Sequence, residues 1–266
     1  MDNAKILGVG NTAQVILYNK KKAAKIFHAH VPFSAIEYEF EINKRMLESG
    51  LPVPAVYELK EIDGKTAIVY ERIAGDTLMK SLMENPLDAT HVIKEMARLH
   101  VMVHNKQLPS LPSQKEVLQN RIECVIELSN LEKDYILSKL DQFSDGNSIC
   151  HGDFHFNNIL VSDEGLVIID WTDAVKGNRI GDLARTTLLL KFGGIEENSS
   201  LLQLQSQYLF REQIADQYVN YYQERFPIDH EEFQSWVLPV AAARLNETLP
   251  QHEKEKLLSI VRSYIK

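Results

Sequence analysis

Among 266 residues there are only two cysteines, Cys124 and Cys150. They form no CxxC pair and sit in no His/Cys spacing suited to a metal, so neither a disulfide framework nor a zinc ribbon organises this fold. No apolar run approaches the roughly eighteen residues needed to cross a bilayer. The opening MDNAKILGVG lacks the basic segment and long apolar core of a secretory signal, and the expectation is a cytoplasmic protein with no membrane partner. A basic surplus is missing too: 29 Lys and Arg stand against 37 Asp and Glu, a net charge of −8, which argues against nucleic acid as a partner. Internal repeats and low-complexity tracts are absent as well.

What is present suits an ordinary globular chain, 44% hydrophobic and 25% charged. Its length allows a sizeable core without staples and fits one large domain or two lobes sharing a cleft. The charge is uneven. Residues 1–72 carry ten basic and nine acidic side chains, and the remainder carries nineteen and twenty-eight. That acidic remainder would favour a cationic ligand, although solubility charge is the plainer explanation. Asn198-Ser199-Ser200 and Asn246-Glu247-Thr248 fit the glycosylation pattern, which carries no weight in a cytoplasmic chain.

The segments KILGVG, QVILY and KAAKIF are short and β-rich, and predict three antiparallel strands. From Phe33 to Ser49 the apolar residues take helical spacing, and Gly50 and Pro52 supply a stop. AVYELKEIDGKTAIVYE predicts a hairpin turning at Asp63-Gly64. Gly64-Lys65-Thr66 imitates the end of a phosphate-binding P-loop, but the required upstream glycine is Leu59. Residues 77–145 and 181–266 are mostly helical in pattern, and the strand signal returns only in NILVS and GLVIID. The expectation is an α+β fold in two lobes: residues 1–74 with an antiparallel sheet plus a helix, and residues 75–266, larger and mostly helical.

The densest polar stretch is HGDFHFNNIL, His151 to Leu160. His151 and His155 have the spacing of a helical zinc pair, but Gly152 and the asparagines oppose a helix there. A plain polar turn before a strand is a second reading. A third takes in the downstream strand LVIID, ending at Asp170. A hairpin joining NILV to LVIID would bring Asn158 and Asp170 to one end. An amide and a carboxylate are hard oxygen ligands suited to Mg2+, and Asp153 would then face a reacting hydroxyl. Those are the parts phosphoryl transfer requires.

His151-Gly152-Asp153 with Asn158, followed by Ile169-Asp170-Trp171, resembles the catalytic loop and metal site of the aminoglycoside phosphotransferase and choline kinase branch of the protein-kinase-like superfamily. The resemblance is strong over 148–190, moderate over 4–80 and weak beyond 195. It implies a two-lobed protein-kinase-like fold and an Mg2+-dependent kinase moving the γ-phosphoryl of ATP or GTP to a hydroxyl of a small molecule. The acceptor would be aminoglycoside-, choline- or sugar-like, with a cationic one favoured by the acidic remainder. By the resemblance, Asp153 is the catalytic base or hydroxyl-orienting group, and Asn158 and Asp170 bind the metal. Gly8 and Gly10 belong to a phosphate-covering loop whose third glycine is replaced by Ala13. Lys25 meets the nucleotide phosphates, and the family's spacing to Gly50 selects Glu39 as its partner, with Glu41 the runner-up. Backbone groups of Glu71 and Ile73 would hold the adenine. Asp182 either caps the next helix or braces the catalytic loop, and Asp173 is open between metal, substrate and turn roles. A protein kinase is the alternative within the enzyme class, opposed by the lack of Asp-Phe-Gly, Ala-Pro-Glu and a long activation segment. A catalytically inactive nucleotide-binding regulatory module is the alternative outside it.

Overall fold

The computed structural model describes residues 5–194 and 201–265, so the Asn198-Ser199-Ser200 motif lies outside the described residues. The chain forms two compact units, Met1–Glu84 with Phe156–Thr172, and Asn85–His155 with Asp173–Lys266.

The first unit holds the strands β1 (Ile6–Val9), β2 (Ala13–Asn19), β3 (Lys22–Phe27), β4 (Val56–Ile62) and β5 (Lys65–Glu71), with helix α1 (Phe33–Glu48) between β3 and β4. They form one antiparallel sheet in the order β1-β2-β3-β5-β4. Asp63 and Gly64, at φ 50° and 76°, make the tight β4–β5 turn, the left-handed pair that matches strand twist. Gly50, at φ 77°, ends α1. Both sheet faces carry apolar residues: Ile16, Ala24, Ile62, Ala67 and Val69 on one, and Phe27 and Ile68 with Ile36 of α1 on the other.

A second, smaller sheet in this unit joins β6 (Gly75–Thr77), β8 (Ile159–Ser162) and β9 (Gly165–Ile168) in the order β6-β8-β9. The β8–β9 hairpin is the one expected from sequence. β6 is not, because three residues are too few to show an alternation. The short helix α2 (Leu78–Glu84) follows β6.

The second unit is helical: α3 (Ala89–His104), α4 (Gln114–Glu123), α5 (Asn130–Asp141), α6 (Arg179–Phe192), α7 (Leu201–Gln223), α8 (His230–Arg244) and α9 (Gln251–Tyr264). Between them lie two three-residue strands, β7 (Ser148–Cys150) and β10 (Val175–Gly177), paired antiparallel. α3 packs on α7, α6 on α7 and α8, and α8 on α9. Trp236, Tyr218, Tyr222, Met96 and Leu99 are fully enclosed. The class is α+β, with an N-terminal antiparallel sheet and a mostly helical remainder. Among the described residues no helix is long and apolar enough to cross a membrane.

Candidate active site

In β3 successive side chains alternate between faces. Ala24 and Ile26 belong to one face of the sheet, so Lys25 shares the other with Phe27, which packs with Ile36 of α1. Glu39 follows Ile36 by three residues and therefore lies on the same side of the helix. Lys25 Nζ donates to Glu39 Oε1 at 2.7 Å. The Tyr70 hydroxyl donates to the same oxygen at 2.9 Å, and Asn43 Nδ2 donates to the Glu39 carbonyl at 2.7 Å. Burial and then the Glu39 charge raise the Tyr70 hydroxyl well above its ordinary pKa, which keeps it a neutral donor. Glu41 instead pairs with Lys44 at 3.4 Å near the surface, and Glu37 is exposed.

Asn158 and Asp170 lie at the same end of the β8–β9 hairpin. Ile159 opposes Ile168, and the Ile169 N–H donates to the Asn158 carbonyl at 3.0 Å. Asn158 ends a single 3-10 turn, Phe156–Asn158, and is buried. Asp170 adopts φ 64°, a left-handed conformation that costs a non-glycine residue about 1–3 kcal/mol. Its neighbours hold it there. Trp171 is wholly enclosed and donates through Nε1 to the Ile168 carbonyl at 3.4 Å, and Thr172 Oγ1 donates to Asp170 Oδ1 at 3.1 Å. The same Asp170 oxygen lies 3.9 Å from Lys25 Nζ, so one cation stands between Glu39 and Asp170.

Gly8 lies in β1 and Gly10 just beyond it. Gly10 N–H donates to the Ala13 carbonyl at 2.9 Å, and the Gly10 carbonyl accepts from His28 Nε2 at 3.3 Å. A Cβ on Gly8 would meet nothing within 4 Å, and one on Gly10 only the Ala13 carbonyl at 3.7 Å. The chain's own packing therefore does not demand glycine at either position. Glu71 closes β5. Its N–H donates to the Ala55 carbonyl at 2.7 Å and its carboxylate accepts from Ala55 N–H at 3.2 Å. Ile73, two residues on, is half-buried.

In the second unit β7 delivers the loop His151–His155. Asp182, near the start of α6, accepts from the N–H groups of His151 at 2.8 Å and Gly152 at 3.0 Å. Of the two roles left open from sequence, Asp182 therefore braces the loop, and the helix cap is Asn178, whose side chain accepts from Ile180 N–H at 2.9 Å. Gly152 has φ 79°, and a Cβ there would come within 2.3 Å of the Asp173 carbonyl, so only glycine fits. Asp153 N–H donates to His151 Nδ1 at 3.2 Å, and the Asp153 carboxylate lies 3.3 Å from His155 Nε2. Burial alone would raise the Asp153 pKa. The hydrogen bond and charge of His155, with the charges of Arg185 and His151, outweigh it and hold the carboxyl well below its ordinary range. Asp173 is engaged by Arg121, at 2.5 Å.

Two side chains behind the loop were not singled out from the sequence. His100 and His104, one turn apart on α3, each point Nε2 at Asp182 Oδ2, at 3.0 and 3.2 Å. Their Nδ1 atoms meet the hydroxyls of Tyr218 and Tyr222 on α7. The three groups could hold a metal by spacing, but Asp182 already receives four N–H donors and each imidazole has a partner on both nitrogens. Burial, followed by the charge of His104, pulls His100 down to about 3, against the pull of Asp182. His104 is lowered by burial as well. Asp182 is held well below its ordinary value because the two histidines outweigh its own burial. The sequence signal, a His-x-x-x-His on an apolar helix, was available in LHVMVH.

Residues 5–218 match the phosphotransferase enzyme family. The chain belongs to that family. No curated protein matches it in sequence. Solved structures do match in fold. A thermostable mutant of aminoglycoside phosphotransferase APH(4)-Ia, in ternary complex with ADP and hygromycin B, is 16% identical, with a TM-score of 0.68 over 98% of this chain and 94% of that one. Amicoumacin kinase hAmiN, in complex with AMP-PNP, Ca2+ and Ami, is 16% identical, with a TM-score of 0.64 over 98% and 87%. Aminoglycoside-3'-phosphotransferase of type VIII is 18% identical, with a TM-score of 0.61 over 91% and 92%. At these identities the likeness is one of fold, and the fold of this family member is protein-kinase-like.

Proposed function

We propose that this phosphotransferase moves the γ-phosphoryl group of ATP or GTP to a hydroxyl of a small molecule, with Mg2+ as cofactor. The observation that carries the reading is the setting of Lys25, 2.7 Å from Glu39 and 3.9 Å from Asp170. A lysine in an apolar strand needs a reason, and a cation shared between two carboxylates beside an open glycine turn suits a phosphate chain. In this reading residues 1–74 hold the nucleotide. Gly8 and Gly10 let backbone approach the phosphates, Lys25 contacts them, Glu39 holds Lys25, and the backbone groups of Glu71 and Ile73 hold the base. Residues from 75 onward carry the catalytic loop and receive the acceptor.

Asn158 and Asp170 fit a magnesium ion. They offer few, hard oxygen donors at one hairpin end, and the left-handed Asp170 is a local strain of the kind found at functional sites. The chemistry such an ion supplies is neutralisation of charge on phosphate oxygens. Asp153, ionised and held by the loop, accepts a hydrogen bond from the acceptor hydroxyl and aims its oxygen at the phosphorus. The acceptor class is aminoglycoside-, choline- or sugar-like. The acidic surplus beyond residue 72 supports an amine-bearing one, although Asp173 and Glu247 are already matched by Arg121 and Arg185.

The test is a nucleotide-consumption screen over hydroxylated amines, antibiotics and neutral sugars, run beside Mg–ATP and Mg–GTP binding. Wild type should consume nucleotide with at least one acceptor, and Asp170→Ala should weaken Mg–nucleotide binding in a folded protein. Equal binding by Asp170→Ala would remove the metal assignment. Binding with no turnover for any acceptor would favour the regulatory-module reading, and a neutral sugar as sole acceptor would defeat the amine preference.

A further inference from the structure

The peptide plane joining Gly152 to Asp153 is gripped at both polar ends. Its N–H, that of Asp153, donates to His151 Nδ1. Its carbonyl, that of Gly152, accepts from Arg185 Nε. Arg185 lies three residues after Asp182 on α6, and residues so spaced share a helix face. One face of α6 therefore holds Gly152 twice: Asp182 takes its N–H and Arg185 its carbonyl. Arg185 is itself buried. Its NH1 donates to Glu247 Oε1 at 2.6 Å. Glu247, just beyond α8, lies against two more guanidinium groups, Arg121 at 3.6 Å and Arg244 at 3.5 Å. Arg121 also binds Asp173, whose backbone carbonyl closes against Gly152. The result is a polar chain running Gly152, Arg185, Glu247, Arg121 and Asp173, whose carbonyl packs back against Gly152, drawn from α4, α6 and the loops.

Stability alone is a weak reason for such a polar chain. A buried Arg–Glu pair is often no better for stability than apolar residues of equal volume. A lysine could not replace the arginine, because only the planar fork reaches a carbonyl and a carboxylate at once. Both ends of this chain, Arg185 and Asp173, meet the residue before Asp153. Gly152 is also in a left-handed conformation, so a small rotation of its peptide would swing the Asp153 carboxylate.

We propose that Arg185, anchored by Glu247, is a positioning residue for Asp153: it fixes the Gly152–Asp153 peptide plane and thereby the direction of the carboxylate. This rests on the role given to Asp153 above. Misplacement of a reacting group by about 1 Å costs up to about a hundredfold in rate, so Arg185→Met should lower Mg–ATP turnover by about ten- to a hundredfold. Glu247→Gln, which keeps the size but removes the negative charge that faces Arg185, should lower it less. Turnover is read with water as acceptor, so no acceptor need be known, and Mg–ATP affinity should hold within about twofold because the nucleotide residues are untouched. Amide hydrogen exchange supplies a readout independent of activity. Residues 151–155 should lose protection in both variants while the amides of α6 and α8 keep theirs.

Loss of loop protection with lower turnover and unchanged nucleotide affinity is the result expected. Unchanged loop protection in Arg185→Met overturns the proposal, and so does a loosened loop with wild-type turnover. Equal loss of protection across α6, α8 and the loop would make Arg185 a stability residue only, which also overturns it. A wild type that turns over nucleotide neither with water nor with any acceptor of the screen would sink the phosphotransfer reading, and the exchange of the loop amides would still decide whether Arg185 holds the loop.

Discussion

In the proposed function Asp153 is the side chain on which the chemistry turns, and its electrostatics narrow that role. A general base works best with a pKa near the operating pH. Asp153 sits far below that, because His155, Arg185 and His151 outweigh its burial. Such a carboxylate accepts a hydrogen bond well and a proton poorly, so orientation of the hydroxyl is the larger part of its work. Phosphoryl transfer through a loose transition state asks little early proton removal. Asp153→Asn should then cut kcat by about a hundredfold or more and leave nucleotide affinity nearly unchanged. Since the folded pKa is depressed, the wild-type rate should show no acid limb from this residue between pH 8 and 5. Loss of nucleotide binding in Asp153→Asn would make it a metal ligand instead, and the roles of Asp153 and Asn158 would exchange.

At the scale of elements, α1 and β3 are joined by an ion pair beside the packing of Ile36 with Phe27. Glu39 is buried, and Lys25 keeps 16% of its side-chain surface. Removing Lys25 leaves the Glu39 charge buried without its cation, which costs about 3–5 kcal/mol in a fully buried pair. Removing Glu39 costs less, because Lys25 reaches solvent and keeps Asp170 at 3.9 Å. Lys25→Met with Glu39→Met should unfold in urea at a higher midpoint than the weaker single variant, because no lone charge remains. Additive losses would refute the coupling. Every variant lacking Lys25 should lose nucleotide affinity. Elements long enough to show a period were legible from sequence: the first three strands, α1, the Asp63-Gly64 hairpin and β8–β9. The three-residue strands β6, β7 and β10 were not, since alternation cannot be read over so few residues. The candidate site divides in the same way. Asp153, Asn158, Asp170 and Lys25 sit in local motifs. Tyr70, His100, Arg185 and Glu247 act through partners far along the chain, 62 residues apart for Arg185 and Glu247 and 118 for His100 and Tyr218. No local pattern encodes such pairings.

For the molecule as a whole, the same buried histidines that hold Asp182 behind the loop set how the helical unit responds to acid. Tyr218, His100, Asp182, His104 and Tyr222 tie α3, α6 and α7 together. The charged groups facing them are Asp182, Arg179 and, beside the loop, His151. His100 titrates near 3 when folded and near its ordinary 6.5 when unfolded, so between those values the unfolded chain binds a proton that the folded one refuses. Stability therefore rises with pH across that window and is lost as pH falls through it. His104, lowered in the same direction, steepens the loss. Asp182 acts in the same sense at lower pH: its depressed folded pKa contributes stability present above its unfolded value, near 3.8, and lost as acid protonates it. Calorimetric melting should thus show Tm falling steadily from pH 7 to pH 4, with uptake of about one to two protons on unfolding. His104→Gln, which cannot take up a proton in either state, should flatten the slope by about one proton, though it lowers Tm at pH 7 by disturbing the network. A slope unchanged by that substitution would show that acid acts elsewhere, through the exposed carboxylates and not the buried imidazoles.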